Sequence, residues 1–93
     1  MFRLWCKIIT KNKIQDDKVI ELDNNTLGID DKIHAALEIF CRDFDLEKPM
    51  WFEKNTKELS QISKTTFRDD QFIESVWFDY LEIVLIDDGK KKA

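Results

Sequence analysis

Between positions 31 and 44 the apolar residues repeat at one spacing. Ile33, Ala36, Leu37, Phe40 and Phe44 stand at i, i+3, i+4, i+7 and i+11, and Cys41 flanks the stripe. At about 100° per residue these positions form one face of a helix. His34, Glu38, Arg42 and Asp45 lie along the opposite flank, and Ile39 projects from the far side. Asp30 is placed to cap the helix, and Asp31 puts negative charge where the macrodipole favours it. Pro49 follows just beyond the end, where the helix cannot continue. One apolar stripe has to be buried against another element, so the rest of the chain must supply a matching surface.

That surface is written in period two. Residues 2–10 alternate, with Phe2, Leu4, Cys6 and Ile8 on one face and Arg3, Trp5, Lys7 and Ile9 on the other. Lys11, Asn12 and Lys13 form a turn without Asn-Gly chemistry, and a second strand, broken near Asp16-Asp17, runs to Leu22 with Ile20 and Leu22 on one face and Val19 and Glu21 on the other. Residues 23–29 read as a loop. Residues 48–55, KPMWFEKN, read as a short third strand. Between 56 and 78 the pattern is mixed. Lys57 to Gln61 suits one helical turn, Lys64 to Phe67 a very short strand, and Asp69 to Glu74 a turn capped by Asp69. Residues 78–86, FDYLEIVLI, are the final strand, with Leu81, Ile83 and Leu85 on one face and Tyr80, Glu82, Val84 and Ile86 on the other. Residues 1–88 are expected to form one α+β domain, and the tail 89–93 to fray.

Composition narrows the function classes. Apolar residues make up 43% and aromatics 12% of the 93 residues, as in globular chains, and only two Gly and one Pro argue against linkers. The 15 Lys and Arg against 19 Asp and Glu leave a net charge of −4, a poor match to phosphate backbones or anionic membranes. No apolar run approaches the ~20 residues that a bilayer needs. The start, MFRLWCKIIT, alternates like a strand rather than a signal peptide, and a soluble cytoplasmic protein is expected. Cys6 and Cys41 have no metal-ligand spacing and are expected to be buried, reduced thiols.

The order hairpin, helix, short strand, irregular crossover, last strand resembles small bacterial-type ubiquitin-like domains of the β-grasp family. Phe52 to Leu59 has the spacing of the apolar pair that brackets the turn after the third strand of that family. TTFRDDQF, residues 65–72, looks like its TLSDYNI segment, with Phe67 and Phe72 as the two apolar anchors and Asp69 as the aspartate. YLEIVLI looks like its terminal TLHLVLR strand. The likeness spans residues 2–86. Residues 73–79 exceed the pattern, and IDDGKKKA carries no diglycine, so conjugation as a modifier is not implied. The resemblance implies a mixed sheet of four to five strands with one main helix packed on one face. In that arrangement the first and last strands are central and adjacent, and the third lies beside the last.

Under that topology the helix side takes Phe2, Leu4, Cys6, Ile8, Ile20 and Leu22 from the hairpin. Met50, Phe52, Leu81, Ile83 and Leu85 join them from the later strands. The open side then shows Trp5, Ile9, Trp51, Tyr80 and Val84 as neighbours. An apolar patch of this kind marks an interface, and Trp and Tyr are frequent hot-spot residues. The expected role is a protein–protein interaction module, with another protein or a second copy (a homodimer) as partner. The opposite outcome is that residues 73–79, with Val76, Trp77 and Phe78, fold over this face and make it core.

Other chemistries find little support. Arg3 and Lys7 flank Trp5 as in single-strand nucleic-acid binders, which is the alternative reading, but Glu82 on the same face and the net charge oppose it. His34 has Glu38 at i+4 and no second imidazole in the chain to complete a metal site. The pairs Asp16-Asp17, Asp30-Asp31, Asp69-Asp70 and Asp87-Asp88 suit caps and turns. Ser60, Ser63 and Ser75 lack a nucleophile-elbow context, and no glycine-rich loop is present to cradle phosphate. The chain is therefore expected not to be an enzyme, and to need no cofactor or metal.

Overall fold

The alternation of residues 2–10 becomes strand β1 (Phe2–Thr10), and β2 (Lys13–Leu22) returns beside it. The computed structural model describes residues 1–23 and 27–88; the tail 89–93 lies outside the described residues. The turn between the strands uses positive φ at both Lys11 (52°) and Asn12 (62°), the two-residue geometry that follows the twist of a hairpin. It fixes the register from Thr10 opposite Lys13 to Phe2 opposite Leu22, with a bulge where Ile8 and Ile9 pair with Asp16 and Ile14.

Helix α1 spans Ile29–Asp43. Gly28 takes the cap position, and Asp30 lies within the first turn rather than capping it. The helix starts early because Ile29 packs against the core and is drawn into the apolar stripe. Ile33, Ala36, Leu37, Phe40 and Cys41 are buried as the spacing predicts.

The expected strand at 48–55 does not form. Residues 46–52 are irregular, and Glu53–Ile62 is a second helix, α2, which absorbs the turn expected at 57–61. Strand β3 follows (Lys64–Arg68), then a 3₁₀ turn at Asp69–Gln71, and finally β4 (Tyr80–Asp88). The sheet has four strands in the order β2-β1-β4-β3. Every pair is antiparallel, so the sheet is not mixed as expected. The position beside β4 goes to Lys64–Arg68 in place of 48–55, with Phe67 opposite Leu81 and Thr65 opposite Ile83.

The consequence for the core is specific. Phe2, Leu4, Cys6, Ile8, Leu81 and Ile83 are all at most 1% exposed, and Ile20 is buried with them. Leu22 and Leu85 pack against this cluster from its margin. Met50 and Phe52, expected inside, are 42% and 37% exposed, and Phe67 at 0% fills the place assigned to them. Without a neighbouring strand, nothing imposes period two on residues 48–52. α1 covers β1 and β2, α2 lies against β3, and both helices are on one side of the sheet.

Candidate functional site

The face away from the helices is built by cross-strand pairs. Trp5 stands opposite Val84 on β4 and Val19 on β2; Ile9 stands opposite Tyr80 and Ile14. Directly opposed residues in antiparallel strands share a face, with Cβ atoms roughly 5 Å apart. The structure thus brings Trp5, Ile9, Tyr80 and Val84 together on the open side. Trp5, Tyr80 and Val84 are half-buried, and Val19 and Ile14 at the edge are exposed. Ile9 is buried although it lies outside the main core cluster, so the open face has a small apolar centre of its own.

Charged residues enclose that centre. Lys7 Nζ lies 4.0 Å from the Trp5 ring centroid and 2.8 Å from Glu82 Oε1. Trp5 Nε1 donates to Asp17 Oδ2 at 2.8 Å, and Arg3 Nε donates to Glu21 Oε2 at 2.8 Å. Arg68 sits over the Tyr80 ring, 5.0 Å from its centroid. The indole is fixed by a cation over its ring and an acceptor at its N–H.

Residues 73–79 fold toward the helix side of the sheet. Phe78 is buried in the core with its ring edge-on to Phe72 at 5.6 Å, and Val76 packs beside it. Ile73 and Trp77 remain exposed. The opposite outcome, burial of the patch beneath this segment, does not occur.

Trp51 does not join the open face. It projects to the helix side, 4.4 Å from the His34 ring and 5.6 Å from Phe67 between centroids, and its Nε1 donates to Thr56 Oγ1 at 2.9 Å. Period two placed Trp51 outward; the irregular backbone turns it inward and Met50 and Phe52 outward. Trp51 floors a cleft of about 540 Å³ between α1 and α2, where Leu59, Leu85 and Ile33 supply apolar wall and Asp30, His34 and Ser60 polar rim. His34 is half-buried here. Burial lowers its pKa, the Lys48 cation adds to that, and Asp30 and Asp31 oppose it. The Ser60 hydroxyl is engaged, donating to Lys57 O at 3.0 Å.

A polar cluster missed by the periodicity holds this corner together. Asn55 is 0% exposed at the third position of α2. Its Oδ1 accepts from Phe52 N–H at 2.9 Å and from Gln71 Nε2 at 2.9 Å, and its Nδ2 donates to Thr65 Oγ1 and to Thr66 O. Gln71 also donates to Met50 O, while Met50 N–H donates to Gln71 O. Pro49 and Asn55, both of types depleted in strands, were the available signal against a strand here.

Cys6 and Cys41 are both buried and unbridged. Burial pushes both thiols up, Cys41 to about 11. Among the described residues no group of three or more His, Cys, Asp or Glu is arranged to hold a metal ion, and no helix is long and apolar enough to cross a membrane. No protein-family model matches the chain, and no curated protein or solved structure matches it.

Proposed function

We propose that this chain is a protein-interaction module whose contact surface is the open face of the sheet, centred on Trp5, Ile9, Tyr80 and Val84. One observation carries the reading: these four residues pair across β1 and β4 on the side that neither helix covers. Val19 and Ile14 extend the apolar area toward the β2 edge. Trp51 leaves the proposed surface, because its ring is committed to His34 and Phe67. No catalytic role is assigned, and a reducing cytoplasmic setting suits two buried, unbridged thiols. The β-grasp likeness draws support from the strand order and the one-sided helix layer, and the antiparallel β1–β4 pair departs from it.

Single-strand nucleic-acid binding gains little from the geometry. Arg3 and Lys7 are flanked by carboxylates on both sides, Glu21 and Asp17 on β2 and Asp87 and Glu82 on β4, and these repel a phosphate backbone.

A photoreactive amino acid at position 19, compared with one at exposed position 73, tests the reading in cells. A discrete adduct from position 19 that diminishes when Trp5 is changed to Ala is expected. Absence of any adduct from 19 beyond that from 73 would remove the surface from consideration.

A further inference from the structure

We infer that the occupant of the open face is a second copy of this chain, docked face to face about a two-fold axis parallel to the strands. The inference rests on the interaction reading above and adds the partner and the geometry.

Each strand shows this face charges of a single sign. The β1 column carries Arg3 and Lys7. Opposite them on β2 stand Glu21 and Asp17, and opposite them on β4 stand Asp87 and Glu82. On β3 the residues facing the same way are Lys64, opposite Val84, and Arg68, opposite Tyr80. In the spatial order β2-β1-β4-β3 the columns therefore read negative, positive, negative, positive. Reading that row backwards inverts every sign.

A two-fold axis parallel to the strands, lying between two apposed sheets, performs that reversal. It sets β2 of one copy against β3 of the other, and β1 against β4, so each column meets its opposite. It also preserves height along the strands. Trp5 then meets Val84 of the second copy and Ile9 meets Tyr80 of the second copy, which joins the two apolar centres. A two-fold axis across the strands would instead lay each column on itself, like charge on like, a juxtaposition that costs several kcal/mol. Charge thus selects one of the two in-plane axes, and aligned sheet packing accommodates it.

Within one chain the same alternation supplies the ion pairs Arg3–Glu21 and Lys7–Glu82. Carboxylates and cations at such a surface can be shared across a second layer. Four strands and the nine residues of β1 set the area, on the order of 1,000 Å² in total, at the low end for a specific interface. A dimer that dissociates on dilution and in salt is the expected result.

Paired charge reversals test it. Lys64→Glu with Arg68→Glu makes β2 and β3 both negative; Asp17→Lys with Glu21→Lys makes both positive. All four positions are exposed, so both variants should keep their fold by circular dichroism. In sedimentation equilibrium each variant alone should dimerise at least about tenfold more weakly than wild type. An equal mixture of the two should recover association to within about threefold of wild type, because both unlike contacts return. Wild-type protein gives a reading that needs no variant: the dimer should weaken severalfold as screening shortens the Debye length from about 10 Å to about 3 Å. A wild-type chain that stays monomeric at millimolar concentration, or a mixture no better than its components, overturns the inference. Trp5-dependent adducts from position 19 with a different protein would then leave the interaction reading standing. Loss of those adducts as well would end both.

Discussion

The layer between β1 and α1 and the corner formed by residues 48–72 are fixed by different forces. In the first, alternate residues of β1 and every third or fourth residue of α1 are apolar, and each lands in one cluster with almost no exposure. The pattern works because β1 has a ladder partner on each side, so alternation converts directly into burial. In the corner, residues 48–52 have no strand beside them. Their backbone is held by side-chain amides: Asn55 takes the Phe52 N–H, and Gln71 takes the Met50 carbonyl. The lesson is that period two predicts facing only where a ladder enforces it. Elsewhere a few buried polar groups decide which side chains turn inward.

Truncation on each side of this comparison should separate the two mechanisms. Phe40 is 0% exposed at the centre of the α1 stripe, with its ring 4.5 Å from Phe44. Phe40→Ala should cost about 3–5 kcal/mol in denaturant melts, as transfer energy plus a cavity. That is a large share of the roughly 5–14 kcal/mol expected for a chain of this size. A loss below about 1 kcal/mol would contradict the apolar account of this layer. Asn55→Ala should cost about 2–4 kcal/mol, because it leaves the Thr66 carbonyl, the Gln71 amide and the Phe52 N–H without their partner. Asn55→Asp tests polarity at constant volume. It keeps the acceptor and replaces the donors to Thr65 and Thr66 with a buried charge, so it should destabilise at least as much as Ala. If Asp is tolerated and Ala is not, the site is about volume and the contrast fails.

The same contrast explains what the sequence could convey. β1, α1 and β4 were legible, with boundaries shifted by a few residues at Ile29 and Tyr80, because each has a long run of one period; β2 alternates visibly only from Val19 to Leu22, and the break expected near Asp16-Asp17 is a bulge between Ile14 and Asp16. β3 and the 3₁₀ turn were legible from TTFRDDQF. The strand expected at 48–55 was not, since MWF between polar residues matches a half-buried strand as well as a helix entrance. Asn55 and Gln71 decide between them, and they meet only in three dimensions, 16 positions apart. At the open face, four of the five candidate residues were placed by alternation along β1 and β4. Trp51 was misplaced because its position relied on the strand that does not form. The sign alternation of the four charge columns was hidden for a different reason: it depends on cross-strand register, which no single strand carries.

Two tryptophans make a smaller test of the boundary between core and surface. Trp51 contacts Phe67 and His34 and packs on the core, so Trp51→Ala should cost about 1–3 kcal/mol of stability and leave self-association unchanged. Trp5 lies outside the core cluster, on the open face with Lys7 Nζ over its ring. Trp5→Ala should cost about 1 kcal/mol or less in stability and weaken association by about 2 kcal/mol or more. Melts and sedimentation on both variants decide it. The reverse assignment, with Trp51 governing association, would move the binding surface to the helix-side cleft.

The smallest expected effect lies in that cleft and depends on pH. His34 faces the Trp51 ring, with Lys48, Asp30 and Asp31 near enough to act on it. Burial and Lys48 hold its pKa below the ordinary value of 6.5, against the two aspartates. The folded state therefore binds the proton less tightly than the unfolded state. The stabilisation is fully present above 6.5 and declines as pH falls through the lowered folded value, where the unfolded chain carries more protons. Half-burial keeps the change small. His34→Gln retains a polar side chain on α1 and removes the titration. Denaturant midpoints at about pH 7.5 and about pH 5.5 should show wild type losing more than His34→Gln. Equal losses in the two proteins would mean that the imidazole is as well solvated in the fold as out of it, and that the tilted contact with Trp51 does not exclude water from the ring.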